Sequence, residues 1–221
     1  MHGLNGEAPG GSREYARRAV DASLERLRRE HIDLLYYHRP DGITPLEETL
    51  GAMHELVVEG KVRWLGLSNV GIDALETAAR LAAAGSSPVV AVQNHYSLVN
   101  REDDALVARA EELGIGYIPY FPLASGLLTG KYRRGQAHPE GARLTGDDRL
   151  SDERIGRMEQ LERFAESRGH TILELAIGGL ASIPGVASVI AGATSPEQVH
   201  ANAAAGAWHL DPSELDELEA V

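Results

Sequence analysis

The chain has no cysteine in its 221 residues. That excludes a disulfide framework, a thiol nucleophile and thiolate metal sites. It is also short of positive charge, with 21 Lys and Arg against 33 Asp and Glu and a net charge of -12. A nucleic-acid partner is not expected, because a phosphate-backbone binder needs a basic face. A small anionic cofactor is still compatible with this balance, since a local site can be positive on an acidic protein. No apolar run is long enough to span a bilayer. The opening segment, MHGLNGEAPGGS, is polar and Gly-rich, without the charged region and apolar stretch of a signal peptide. The expectation is a soluble cytoplasmic protein with no membrane partner. No G-x-G-x-x-G follows a strand, and neither a Walker loop nor HExxH occurs. The nine histidines lack metal-ligand spacing, so no metal site is expected.

What the chain has is a globular composition, 43% hydrophobic and 24% charged, sufficient for one sizeable core. No composition break marks a second domain, so residues 1–221 are read as one. Short apolar runs alternate with amphipathic helical patterns. Ser12 reads as an N-cap, and Tyr15, Ala16, Ala19, Val20, Ser23, Leu24 and Leu27 then repeat at helical spacing. Strands are predicted at Ile32 to Tyr37, Val62 to Leu67, Val89 to Val92, Ile115 to Tyr120 and Val186 to Ile190. Helices are predicted at Leu46 to Val58, Ile72 to Ala84, Asp103 to Leu113, Asp152 to Arg168, Thr171 to Ser182, Pro196 to Ala205 and Ser213 to Ala220. Gly60, Gly85 and Gly114 stop three of them. The polar stretch from Ala124 to Ser151 is too long for a plain connection and reads as a functional loop. Alternating strands and helices imply a parallel sheet with right-handed crossovers.

In parallel α/β folds, chemistry sits beyond the carboxyl ends of the strands. Those ends carry His38, then Ser68-Asn69, Gln93-Asn94, Tyr120-Phe121 and Gly192-Ala193-Thr194-Ser195. His38 could polarise a carbonyl or act as a general acid, or serve only as a turn residue before Pro40. Ser68-Asn69 and Gln93-Asn94 could bind a flat amide through matched donors and acceptors, or simply end their strands. Tyr120 or Phe121 could offer a ring face to a heteroaromatic ligand, or belong to the core. Ser195, Pro196 and Gln198 spell a capping box whose helix start could also hold a phosphate.

An ordered set of motifs now stands out along almost the whole chain. It runs through Ile32-Asp33-Leu34-Leu35-Tyr36-Tyr37-His38-Arg39-Pro40-Asp41, Glu59-Gly60-Lys61-Val62-Arg63 and Gly66-Leu67-Ser68-Asn69. It continues with Val92-Gln93-Asn94, Gly126-Leu127-Leu128-Thr129-Gly130-Lys131-Tyr132 and Gly192-Ala193-Thr194-Ser195-Pro196-Glu197-Gln198. The set resembles the aldo-keto reductase family. The resemblance implies an NADP(H)-dependent carbonyl oxidoreductase acting on a small carbonyl-type substrate. It also implies an α/β chain forming an incomplete TIM (β/α)8 barrel of about five parallel strands with surrounding helices. On this resemblance His38 falls on the active-site histidine. Ser68, Asn69 and Gln93 fall on the contacts to the nicotinamide amide, and Tyr120 on the stacking ring, with Phe121 beside it where a Ser is usual. Leu123, Ser125, Lys131 and Arg143 fall on the pyrophosphate loop. Gly192, Thr194, Gln198 and Asn202 fall on the adenosine end.

The family's catalytic Asp, Tyr and Lys match no residue of this chain, because Met1-His2-Gly3-Leu4 already aligns with the end of the third barrel strand. Reduced or lost redox activity is therefore expected, and the NADP(H) site itself need not be retained. A non-redox enzyme (cyclase, isomerase or lyase) using His38 as acid or base is an alternative, as is a nucleotide-sensing subunit. About five strands leave two open sheet edges, so a homo-oligomer or a complementing polypeptide is expected.

Overall fold

A computed structural model describes residues 10–137, 140, 144, 147 and 150–221. The chain divides into two compact units. One comprises Met1–Asn94 and Ala105–Tyr117, the other His95–Asp104 and Ile118–Val221.

The first unit is built on a four-stranded parallel sheet of order β1-β2-β3-β4, with β1 Ile32–Tyr37, β2 Val62–Ser68, β3 Val89–Gln93 and β4 Gly116–Tyr117. Its helices are α1 Arg13–Leu27, α2 Leu46–Val58, α3 Ile72–Ala83 and α4 Asp104–Glu112. Side chains alternate across a strand, and one face of the sheet carries Tyr37, Leu65, Leu67, Val92 and Tyr117, all buried. That face is the core: α2 packs on β2 and α3 on β3, through Leu50, Met53, Leu56 and Leu75. Helices α2, α3 and α4 begin and end within one residue of where the sequence places them. Ser12 caps α1 by accepting from the Tyr15 N–H, and Gly60, Gly85 and Gly114 take the positive φ that ends a helix turn without a Cβ clash.

One carboxylate fastens this unit's entry segment to the tip of β1. Asp41 Oδ2 accepts from the Gly11 N–H at 2.7 Å, and Oδ1 accepts from Ile43 and Thr44 N–H at 2.9 and 2.8 Å. The Thr44 hydroxyl donates to Oδ2 at 2.8 Å, and the Thr49 hydroxyl donates to the Gly11 carbonyl at 2.9 Å. Only glycine fits at position 11, since a methyl there would lie 2.6 Å from the Tyr37 hydroxyl and 2.7 Å from that of Thr49.

The second unit contains α5 Asp152–Glu166, α6 Ile172–Glu174, α7 Pro196–Ala205 and α8 Pro212–Glu219, with a 3-10 segment at Ala124–Thr129. The sequence suggests one helix from Thr171 to Ser182, but α6 opens into a π turn at Leu175–Gly179. The Gly178-Gly179 pair is the weak point that lets the turn widen. Helix α8 is tied down by arginines. Arg101 bonds Glu219 at 2.7 Å, and Arg168 pairs with Glu214 and Glu217 while stacking 3.7 Å over the Phe164 ring.

The strand count differs from the expected five. Gly116–Tyr117 is all that remains of the strand drawn to Tyr120, and Val186 to Ile190 is reduced to isolated bridges, Ile190 bridging Tyr120. Pro119 and Pro122 carry no N–H for a ladder, and Phe121 turns into the left-handed region at φ 60. No helix among the described residues is long and apolar enough to cross a membrane.

Asp41 gives a pH signature. Partial burial pushes its carboxyl up, but the N–H donors of Thr44, Ile43 and Gly11 outweigh this and hold it at about 2, against an ordinary 3.8. A depressed folded-state value stabilises above the ordinary range and is lost as pH falls towards about 2. Urea unfolding is expected to show Asp41→Asn about 1–2 kcal/mol less stable than the parent at pH 7, after discounting for partial exposure. The gap should close between pH 4 and pH 2. An unchanged gap at pH 2 would remove Asp41 as its source.

Candidate functional site

The tips of β1, β2 and β3 converge because parallel strands end on the same edge. At the tip of β2, Asn69 adopts φ 58, a left-handed conformation that Asn tolerates better than most residues. This turn aims its amide back over β1, where Nδ2 donates to the His38 carbonyl at 2.8 Å and to the Ser68 hydroxyl at 3.0 Å. The buried Ser68 hydroxyl donates to the Gln93 carbonyl at 2.7 Å, and the Asn69 N–H donates to the same oxygen at 3.1 Å. His38, Ser68, Asn69 and Gln93 therefore form one hydrogen-bonded group. The His38 imidazole stands exposed at its edge.

Asn94 has a structural role instead. Its Oδ1 accepts from the Val70 N–H at 3.2 Å and its Nδ2 donates to the Val70 carbonyl at 2.8 Å, so the side chain pairs with backbone like a strand. A cavity of about 110 Å³ between α1, β1 and α2 reaches His38. It is smaller than the roughly 300–1,000 Å³ of a typical ligand pocket, and apart from Ser23, His38, Thr49 and its tyrosines its lining is apolar.

In the second unit, Tyr120 forms an offset stack with His95 at 5.7 Å and 16°, and Phe121 meets both rings edge-on at 5.2–5.6 Å. Phe121 is 49% exposed. Burial holds the His95 imidazole below its usual pKa. Leu123 opens the 3-10 segment, its carbonyl accepting from Gly126 and Leu128 N–H at 2.8 and 3.2 Å. Ser125 follows at φ 60, and the Lys131 ammonium folds back over the adjacent Gly126, 5.4 Å from the Tyr132 ring centre. These three residues share one tight loop. Arg143 lies outside the described residues.

At the start of α7, Ser195 Oγ accepts from the Gln198 N–H at 3.3 Å, one half of the expected capping box. The reciprocal bond is shifted by one residue. Gln198 Oε1 takes the Thr194 N–H at 2.8 Å and the Thr194 hydroxyl at 3.1 Å, not the N-cap's own N–H. Asn202 Nδ2 donates to the Gly192 carbonyl at 3.3 Å. Gly192, Thr194, Gln198 and Asn202 are thus brought together, engaged with one another.

The family model "Aldo/keto reductase family" matches residues 3–221. The chain belongs to the aldo/keto reductase family. Among its relatives, an L-glyceraldehyde 3-phosphate reductase of Escherichia coli (strain K12) is 33% identical over 202 residues, covering 87% of this chain and 58% of that protein. A probable voltage-gated potassium channel subunit beta of Arabidopsis thaliana is 35% identical over 225 residues, covering 95% and 67%. A solved structure of a glycerol dehydrogenase from Gluconobacter oxydans superposes with a TM-score of 0.82 at 27% identity, covering 95% of this chain and 64% of that one. The chain therefore spans about 58% of the E. coli relative's length. Its parallel sheet and helices form a partial (β/α)8 barrel of the aldo/keto reductase kind.

Three contributors escape the sequence reading. Tyr36 looks like core in an apolar run, Asp41 like a turn residue, and His95 like a loop residue beside Asn94. The one available signal is position: all three lie within four residues of a strand tip.

Replacing Asn69 separates its two roles. Asn69→Gly keeps the left-handed turn but removes the amide bonds to His38 and Ser68, an expected loss of about 1–2 kcal/mol in urea unfolding. Asn69→Ala adds the steric cost of the turn and should be the less stable of the two, by up to about 1 kcal/mol. Equal stability of the two variants would show that the turn carries no such cost.

Proposed function

We propose that the chain acts in NADP(H)-dependent reduction of a small carbonyl compound, with His38 at the carbonyl oxygen and Ser68, Asn69 and Gln93 at the nicotinamide amide. The observation that carries this reading is the single hydrogen-bonded group joining those four residues across three strand tips. The names of two relatives, a reductase and a dehydrogenase, support the same chemistry. When bound, the nicotinamide supplies the hydride. Reduction of a carbonyl gathers negative charge on its oxygen, and an imidazole N–H from His38 would meet that charge. The Asn69 bond to the His38 carbonyl fixes the backbone from which the ring reaches.

The fit of the cofactor is uneven. At the amide end, the Gln93 backbone carbonyl is occupied, so only its side-chain amide is left to meet a ligand. Lys131 beside Ser125 offers a cation to a pyrophosphate. The segment from Gly192 to Asn202 contains no Lys or Arg, and its Thr194 N–H is already bonded. A 2′-phosphate there would rely on backbone and hydroxyl donors. No residue of these 221 is assigned to the family's Asp, Tyr or Lys, so turnover by this chain is expected to be slow, by about two to four powers of ten relative to an assisted general acid.

The test is NADPH oxidation with a panel of aldehydes, alongside nucleotide titration followed by tryptophan fluorescence. The parent is expected to bind NADPH and turn over slowly. His38→Ala should lower the rate by roughly tenfold or more while leaving nucleotide affinity within about twofold. Absence of nucleotide binding would end the reading. A rate unaffected by the His38 change would remove its role at the carbonyl.

A further inference from the structure

Register in the sheet brings Tyr36 opposite Gly66, Gly66 opposite Ala91, and Ser68 opposite Gln93. Strand alternation therefore puts Tyr36, Gly66, Ser68 and Gln93 on one face, the face turned away from the helices. There the Tyr36 ring lies over Gly66. A methyl at position 66 would stand 2.5 Å from Cε1 and 2.6 Å from Cδ1 of that ring. The ring can cross β2 only because residue 66 has no side chain.

The crossing carries the Tyr36 hydroxyl towards β3, where the side chain of Gln93 lies within its reach. The hydroxyl is sealed from solvent, yet it has no hydrogen bond of acceptable geometry among the described residues. A sequestered hydroxyl left in this state is unfavourable. Neighbouring groups do not fill the gap. The Ser68 hydroxyl is committed to the Gln93 carbonyl, and the Asn69 amide to His38 and Ser68. The Gln93 carbonyl is held by two donors, which fixes its backbone and leaves the side-chain amide as the adjustable part.

We propose that Tyr36 is a positioning residue for Gln93: a small rotation lets its hydroxyl donate to Gln93 Oε1, which turns the Gln93 NH2 group outwards to an acceptor on a bound ligand. The functional half of this rests on the reading of Gln93 as a nicotinamide-amide contact. Burial also pushes the Tyr36 phenol up from its ordinary value, so the group stays a donor at neutral pH. The same ring thus spans the strand that bears His38 and the strand that bears Gln93.

Nitrogen-15 NMR of the full chain tests this without a ligand. The Gln93 NH2 pair is assigned by its loss in Gln93→Ala. In Tyr36→Phe, which keeps the ring over Gly66, that pair is expected to move to a solvent-like position with no loss of thermal stability. Gly66→Ala, which displaces the ring, should move it in the same way. A Gln93 pair unmoved in both variants overturns the proposal. In NADPH titrations, Tyr36→Phe should weaken binding roughly fivefold to tenfold in the parent and leave it unchanged in a Gln93→Ala background. Binding unaffected in the parent, or equally weakened in both backgrounds, overturns the positioning role. If the NMR pair moves but the parent binds no NADPH, the Tyr36–Gln93 contact stands and the nicotinamide reading falls.

Discussion

Parallel pairing of β1, β2 and β3 is the constraint on which the site depends. In a parallel ladder the hydrogen bonds slant evenly and every strand ends at the same edge. Turns after successive strands then fall side by side, although they are about 25–30 residues apart in the chain. Ser68 opposite Gln93 is the last rung, and the bonds beyond it, from Ser68 Oγ and the Asn69 N–H to one carbonyl, continue the ladder with a side chain. A slip of one residue between β2 and β3 would turn Ser68 and Gln93 to opposite faces. The buried row of Leu65, Leu67 and Val92 makes that slip costly, so the core enforces the geometry of the tips.

Much of this could be read from the chain. Continuous apolar runs located β1, β2 and β3, and helical spacing, closed by Gly60 after α2 and opened by the Ser195 cap before α7, located those two helices at their observed bounds. The tip residues were legible because strand ends are where side chains must leave the core. What was not legible depends on contacts distant in sequence. Asp41 reads as a turn former, and its bond to Gly11, 30 residues earlier, has no local signature. Tyr36 sits in an apolar run, and only the neighbouring strand's Gly66 gives its ring somewhere to go. Asn94 has the same amide as Gln93, but its backbone neighbour, Val70, takes both ends of it. The fourth strand is shorter than local propensity from Ile115 onward suggests because Pro119, Pro122 and the left-handed turn at Phe121 end it, and the fifth, Val186 to Ile190, keeps only a bridge from Ile190 to Tyr120.

The second unit is held by a different balance of forces. Its helices carry many acidic side chains, and the arginines are used where these converge. Arg101 joins Asp104 and Glu219 and also lies over the Tyr96 ring, while the Tyr96 hydroxyl donates to Asp104 at 2.5 Å. Exposed ion pairs contribute little singly. These gain from being partly desolvated and joined to aromatic faces, and they anchor the final helix from two sides.

The self-engaged start of α7 sets the character of any anion binding there. Thr194 already spends its N–H and hydroxyl on the Gln198 side-chain oxygen Oε1. A phosphate taking those two donors would have to swing that amide aside, so association would become a swap of one acceptor for another. Its net strength would be the difference between a charged and a neutral acceptor, and its speed would be gated by a glutamine rotamer.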